Sequence, residues 1–113
     1  MGIVARMAAA LAIAVTGALA AASPAQAHPD VYGPSCWSEY ATIECTLSIS
    51  GAAAPVAIRW YFKGVYRGQC DDRTYCAKSC VVNTWVSVET VVTDASGVPV
   101  VNSPSYWCYW DPR

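Results

Sequence analysis

Six cysteines constrain the fold of this 113-residue chain more than any other feature. An exported chain with an even number of cysteines usually pairs them as disulfides. Zinc is the competing interpretation, but Cys70, Cys76 and Cys80 lack the paired C-x2-C spacing of a structural zinc site. We therefore predict three disulfides, no metal site and no cofactor. The cysteines concerned are Cys36, Cys45, Cys70, Cys76, Cys80 and Cys108.

Residues 1–27 have the pattern of a cleaved secretory signal peptide. Arg6 supplies a positive charge, residues 8–22 form a short apolar run, and Ala25 and Ala27 suit a signal peptidase. The run is too short and too weakly apolar to span a bilayer comfortably, although an uncleaved anchor is the alternative. We predict cleavage after Ala27, an extracellular location and no membrane attachment afterwards. The alanine-rich leader suggests a bacterial source.

Residues 28–113 are expected to form a single disulfide-rich β domain. With six basic residues against eight carboxylates, this part of the chain is mildly acidic. It has no basic stripe, so we predict no nucleic-acid partner. The core alone would be marginal, because ordering costs about 1.5 kcal/mol per residue and nearly cancels the gain from burial. Disulfides worth about 2–4 kcal/mol each would change that balance.

Alternating apolar and polar residues predict β-strands and no helix after residue 28. The predicted strands cover residues 42–50, 57–63, 83–93 and 105–110, with a short extension at 98–101. Residues 94–97 predict a hairpin turn, and residues 65–80 are expected to be a loop. Short alternating strands of this kind indicate an all-β fold with two packed antiparallel sheets, a small disulfide-linked β-sandwich.

Four positions give the chain a resemblance to immunoglobulin-like domains. Cys45, Trp60 and the run Tyr106-Trp107-Cys108 are similar to the Cys, Trp and Tyr-x-Cys residues of that family. The resemblance implies a disulfide between Cys45 and Cys108 across the two sheets, with Trp60 packed against it. It also implies that Tyr106 is the tyrosine-corner residue.

The resemblance leaves the last strand and part of the disulfide pattern open. Only residues 109–113 follow Cys108, where the family has a final strand. Either that strand is supplied otherwise, or residues 105–110 are themselves the terminal strand. With Cys45 joined to Cys108, Cys36 would link to the 70–80 loop and the two remaining loop cysteines would pair. A Cys36–Cys45 disulfide is the alternative.

The residues that catalysis needs are scarce in this chain. A hydrolytic triad requires a histidine base beside the nucleophile. His28 is the sole histidine, and it would be the first residue after cleavage. Asp71 and Asp72 are adjacent, which does not present two opposed carboxylates. We therefore predict a non-catalytic protein.

Outward-facing aromatic residues favour a binding module for polysaccharide or a cell-wall surface. If Trp60 and Cys108 face the core, alternation places four other rings outside, and aromatic rings are good platforms for the apolar faces of sugars. These four residues are Tyr61, Trp85, Trp107 and Tyr109.

Two alternatives involve a protein partner. The 70–80 loop is held by several cysteines, and a preorganised loop of this kind suits a hydrolase inhibitor. Arg73 or Lys78 would then enter the acidic specificity pocket of a trypsin-like protease. The other alternative is a structural or interaction protein that binds its partner along an uncovered sheet edge. The oligomeric state is not predicted from the sequence.

Overall fold

The computed structural model describes residues 29–111, so the predicted signal peptide and His28 lie outside the described residues. Within this range no helix has the length and apolar character that a membrane crossing requires. The described residues form eight β-strands and one 3-10 turn, Gly68–Cys70. In chain order the strands are β1 (Asp30–Glu39), β2 (Thr42–Ser50), β3 (Ala57–Phe62), β4 (Val65–Tyr66), β5 (Tyr75–Ser79), β6 (Trp85–Thr93), β7 (Val100–Asn102) and β8 (Ser105–Trp107).

The strands form two antiparallel sheets. The three-stranded sheet has the order β1-β2-β5. In the five-stranded sheet β4, β3 and β6 are neighbours, and β7 and β8 pair with different parts of the far side of β6. This arrangement confirms the predicted all-β, disulfide-linked sandwich with antiparallel sheets.

The core lies where the alternation of β2, β3 and β6 predicts it. Trp60 is fully buried and its indole Nε1 donates a hydrogen bond to the carbonyl of Arg73 (2.9 Å). Burying a large apolar side chain contributes about 1.5–3 kcal/mol, so these three strands supply most of the packing energy. Their buried apolar residues are Ile43, Cys45, Leu47, Ile58, Trp60, Phe62, Val86, Val88 and Val92.

Three strand assignments from the sequence need correction. Residues 65–80 are not a single loop, because they contain β4, the 3-10 turn and the whole of β5. β1 was not predicted, since the register shift between Tyr32 and Ser35 interrupts its alternation. β8 ends at Trp107 rather than at residue 110, because the chain then turns toward the hairpin between β1 and β2.

The disulfides are Cys36–Cys45, Cys70–Cys76 and Cys80–Cys108. The expected Cys45–Cys108 bridge is wrong, and the Cys36–Cys45 alternative is confirmed. In the three-stranded sheet Cys45 lies directly between Cys36 and Cys76, and its Cα is only 4.1 Å from that of Cys36. The bridge from Cys108 instead joins the segment after β8 to the end of β5.

A bulge in β1 ties this edge strand to the opposite sheet. The carbonyl of Gly33 accepts a hydrogen bond from Asn102 Nδ2 (2.8 Å), and the carbonyl of Pro34 accepts one from Tyr106 Oη (2.6 Å). The Tyr106 hydroxyl therefore bonds 72 residues upstream, which rules out the expected tyrosine corner, whose partner lies only a few residues away. These contacts hold β1 beside β7 and β8.

Candidate functional site

An uncharged concave surface lies where β1 of one sheet meets β8 of the other. We call it the aromatic groove. It has a volume of about 310 Å³, and none of its lining residues carries a charge. It is lined by Trp37, Ser38, Trp85, Ser105, Trp107 and Tyr109, together with Cys36 and Tyr106.

Two strand pairings bring the tryptophan rings of the groove together. β8 pairs with β6 so that Trp107 lies directly opposite Trp85, and both project from the outer face of the five-stranded sheet. Their ring centroids are 5.2 Å apart at an interplanar angle of 77°, an edge-to-face contact. Trp85 is 61% exposed and Trp37, from β1, is 42% exposed. The groove therefore presents large ring surfaces to solvent.

Buried Ser38 fixes the two sides of the groove relative to each other. Its Oγ donates a hydrogen bond to the carbonyl of Trp107 (3.0 Å) and accepts one from the backbone N–H of Tyr109 (2.7 Å). Ser38 lies on β1, whereas both partners belong to β8 and the segment after it. Both bonds involve backbone groups, so they fix the backbone segments that carry the rings relative to each other.

The structure brings three of the four predicted aromatic residues into the groove and leaves one out. Trp85, Trp107 and Tyr109 line it, whereas Tyr61 packs against Tyr66 at a centroid distance of 5.6 Å. Tyr61 lies opposite Glu89 of β6, four residues along that strand from Trp85. Trp37 also lines the groove, and its orientation could not be predicted because β1 was not predicted.

The two basic residues proposed for an inhibitory loop lie on different elements. Arg73 is exposed in the segment closed by the Cys70–Cys76 disulfide, whereas Lys78 is a half-buried residue of β5. The carbonyl of Arg73 is occupied by the hydrogen bond from Trp60. These two cations therefore do not form one exposed loop site.

Asp71 and Asp72 belong to a charged network around Arg59. The Asp72 carboxylate accepts hydrogen bonds from the backbone N–H of Ile58 (2.9 Å) and from Arg59 (2.8 Å), and both lower the pKa of Asp72. Asp71 lies 3.7 Å from Arg59 and accepts a hydrogen bond from Tyr66, which raises the pKa of Tyr66. This network connects β3 and β4 to the segment before β5.

Among residues 29–111, no group of three His, Cys, Asp or Glu side chains could hold a metal ion. The aromatic groove combines exposed rings, concavity and hydrogen bonds that join its two sides. Comparison with known proteins adds no relative, since no protein-family model, curated protein or solved structure matches this chain.

Proposed function

We propose that this protein is a secreted, non-catalytic binding module that holds a neutral polysaccharide in the aromatic groove. The observation that carries the proposal is the convergence of Trp37, Trp85, Trp107 and Tyr109 on one uncharged concave surface. Ligand sites are typically concave, rich in aromatic side chains and provided with a few polar groups. The hydroxyl of exposed Ser105 is one polar group at this surface.

The chemistry of the groove favours neutral sugars over charged ligands. The apolar C–H faces of a pyranose ring pack well against indole and phenol rings, and exposed rings of this kind usually serve recognition. With no lysine, arginine, aspartate or glutamate in the lining, a charged ligand would lose hydration without gaining a partner. Neutral glucans, chitin and the glycan strands of the cell wall are the candidates to test first.

The test measures retention of the folded protein on cellulose, chitin and peptidoglycan. Trp85→Ala is expected to weaken binding at least tenfold, since truncating an aromatic anchor at a binding site costs about 1.4 kcal/mol or more. The matched control is Trp110→Ala, because Trp110 is similarly exposed (57%) but packs against Tyr40 and does not line the groove. The proposal would be refuted if the wild-type protein binds none of these glycans, or if Trp85→Ala binds as tightly as the wild-type protein.

Secretion and an immunoglobulin-like relationship belong to the same proposal. Three disulfides in a domain of this size are typical of extracellular proteins. The sheet orders β1-β2-β5 and β4-β3-β6-β8 correspond to the A-B-E and C′-C-F-G strands of an immunoglobulin sandwich. In this correspondence β6 takes the place of the F strand, so the Tyr106-to-Cys108 run belongs to the last strand instead.

Inhibition of an extracellular hydrolase is the second candidate, and one observation favours it. The Cys70–Cys76 disulfide closes a short ring that exposes Arg73. However, a substrate-like loop must offer its carbonyl to the oxyanion hole, and the Arg73 carbonyl already accepts the Trp60 hydrogen bond. A panel of trypsin, subtilisin and amylase tests this candidate. If the loop inhibits a protease, Arg73→Ala or Lys78→Ala should abolish the inhibition.

A further inference from the structure

The edge strand β5 has backbone groups that no other described strand uses. Among the strands of residues 29–111, β2 is its only neighbour. At its end the N–H of Cys80 donates to the carbonyl of Ala41 on the β2 side (2.8 Å). Because antiparallel pairs alternate, the backbone groups of Tyr75, Ala77 and Ser79 point away from β2. Such an edge can pair with an added strand.

A second concave surface opens between the sheets beside this edge, and we call it the lysine groove. It has a volume of about 210 Å³. Phe62, Val65 and Val86 of the five-stranded sheet contribute apolar surface, and Lys63 and Lys78 also line it. Its chemistry therefore differs from that of the aromatic groove, because it combines an apolar base with positive charge.

Lys78 occupies an unusual position for a charged residue. It lies opposite Ile43, a fully buried core residue, and is therefore on the inner face of its sheet. Neither Lys78 nor Lys63 forms an ion pair with a carboxylate in residues 29–111, where the two ion pairs are both made by Arg59. A half-buried cation without a partner carboxylate is stabilised by an anionic group that binds beside it.

Two further cations follow the same edge. Arg67 Nε donates a hydrogen bond to the outward carbonyl of Ala77 (3.1 Å), and Arg67 and exposed Arg73 line a third hollow beside β5. Together with Lys63 and Lys78, they place four cations along this side of the molecule. Of the carboxylates nearby, Asp71 and Asp72 pair with Arg59, and Glu44 accepts a hydrogen bond from Tyr75. Complementary potentials of this kind select partners and speed association.

We propose that the β5 edge binds an extended acidic peptide segment of a partner protein. The segment pairs with the outward N–H groups of β5 and with the carbonyls of Tyr75 and Ser79, since Arg67 already occupies the carbonyl of Ala77. One of its apolar side chains fills the lysine groove, and its carboxylates meet the lysines. The available strand edge favours a peptide over an anionic glycan, which cannot form a β-ladder. An inward lysine also opposes pairing with a neutral strand or with a second copy of β5, so the acidic partner is preferred.

The first experiment selects binders from a phage-displayed library of random eight-residue peptides on the folded protein. Selected sequences should be enriched in Asp and Glu around an apolar residue. Binding by the purified peptides should weaken about tenfold in Lys63→Gln/Lys78→Gln, because each exposed or half-exposed charge pair contributes a factor of a few. Enrichment of basic or uncharged sequences, or no enrichment, would overturn the proposal.

Matched controls distinguish binding at the β5 edge from non-specific charge attraction and from binding at the aromatic groove. Ala95→Glu/Ser48→Glu changes the net charge by the same amount as the double lysine variant, at exposed positions that do not line the lysine groove, and should leave peptide affinity unchanged. Trp85→Ala should also have no effect. Equal losses in either control, or equal binding of polyglutamate and the selected peptides, would contradict strand addition.

A backbone test uses the unmodified protein. In an added strand every second N–H faces β5. Two peptides are therefore compared, one N-methylated at the odd-numbered residues and one at the even-numbered residues. One of them should lose binding and the other should keep it. Equal affinity of the two methylated peptides would exclude pairing along the β5 edge.

Discussion

Removal of the Cys80–Cys108 disulfide should destabilise the protein more than removal of Cys36–Cys45. The two bridges are well matched, since each joins one fully buried cysteine to one half-buried cysteine, so the loss of sulfur packing is similar. They differ in sequence separation, which is 28 residues for Cys80–Cys108 and 9 for Cys36–Cys45. The loops closed by the three disulfides do not overlap along the chain, so each can be considered separately.

The chain-entropy relation gives the size of the difference. A loop of the longer separation corresponds to about 3.6 kcal/mol at 25 °C and one of the shorter separation to about 2.6 kcal/mol. Paired Cys→Ala variants at each bridge should therefore differ by about 1 kcal/mol in the free energy of unfolding. For a domain of this size, that is a difference of about 4–8 °C in Tm.

Urea unfolding followed by far-UV circular dichroism provides the measurement. Similar slopes of the free energy against urea in the two variants would show that both expose a similar surface on unfolding, so that their free energies of unfolding can be compared directly. If the Cys36–Cys45 variant is as unstable as the Cys80–Cys108 variant, or less stable, the entropic reasoning is wrong for this protein.

Three further substitutions test individual contacts by urea unfolding. Gly33→Ala should cost about 1–3 kcal/mol, because φ is +109° there and the new Cβ would lie 2.8 Å from a backbone carbonyl; an unchanged midpoint would contradict this. Tyr106→Phe should cost about 0.5–1.5 kcal/mol through loss of its bond to β1, and no loss would show that this bond is not stabilising. Hydrogen bonds from Ala53 and Ser96 hold the pKa of Asp94 below its ordinary 3.8. This carboxylate therefore stabilises the fold above about pH 4, and that stabilisation is lost as the pH falls through the folded-state pKa. Asp94→Asn should weaken the dependence of the unfolding free energy on pH below about pH 4. An unchanged pH profile would show that Asp94 is not the source of this dependence.

The strands that could be predicted are those with one buried and one exposed face. In β2, β3 and β6 the buried residues recur at every second position, so alternation alone located them. β1 lacks this signal because its bulge shifts the alternation at Gly33 and Pro34. β5 lacks it because Lys78 takes an inner position where an apolar residue is expected.

The disulfide pattern and the full site depend on strand neighbours, which periodicity does not specify. Cys45 and Cys108 are both fully buried, as their alternation indicated, but register places Cys36 beside Cys45. The absence of β1 from the predicted strands also explains why the candidate site was predicted only in part. Three of its aromatic residues were found from the alternation of β6 and the chain around β8, whereas Trp37 lies on the strand that could not be predicted.

The hydrogen bonds that close the aromatic groove have a consequence for when the proposed binding site forms. Those of Ser38 and Tyr106 span 69 to 72 residues, so they form only after the two distant ends of the domain have met. Contacts of such long range form slowly during folding. A partly folded or shortened chain would therefore have no groove, and ligand binding would report complete folding. A ligand bound there would stabilise the whole domain rather than one loop.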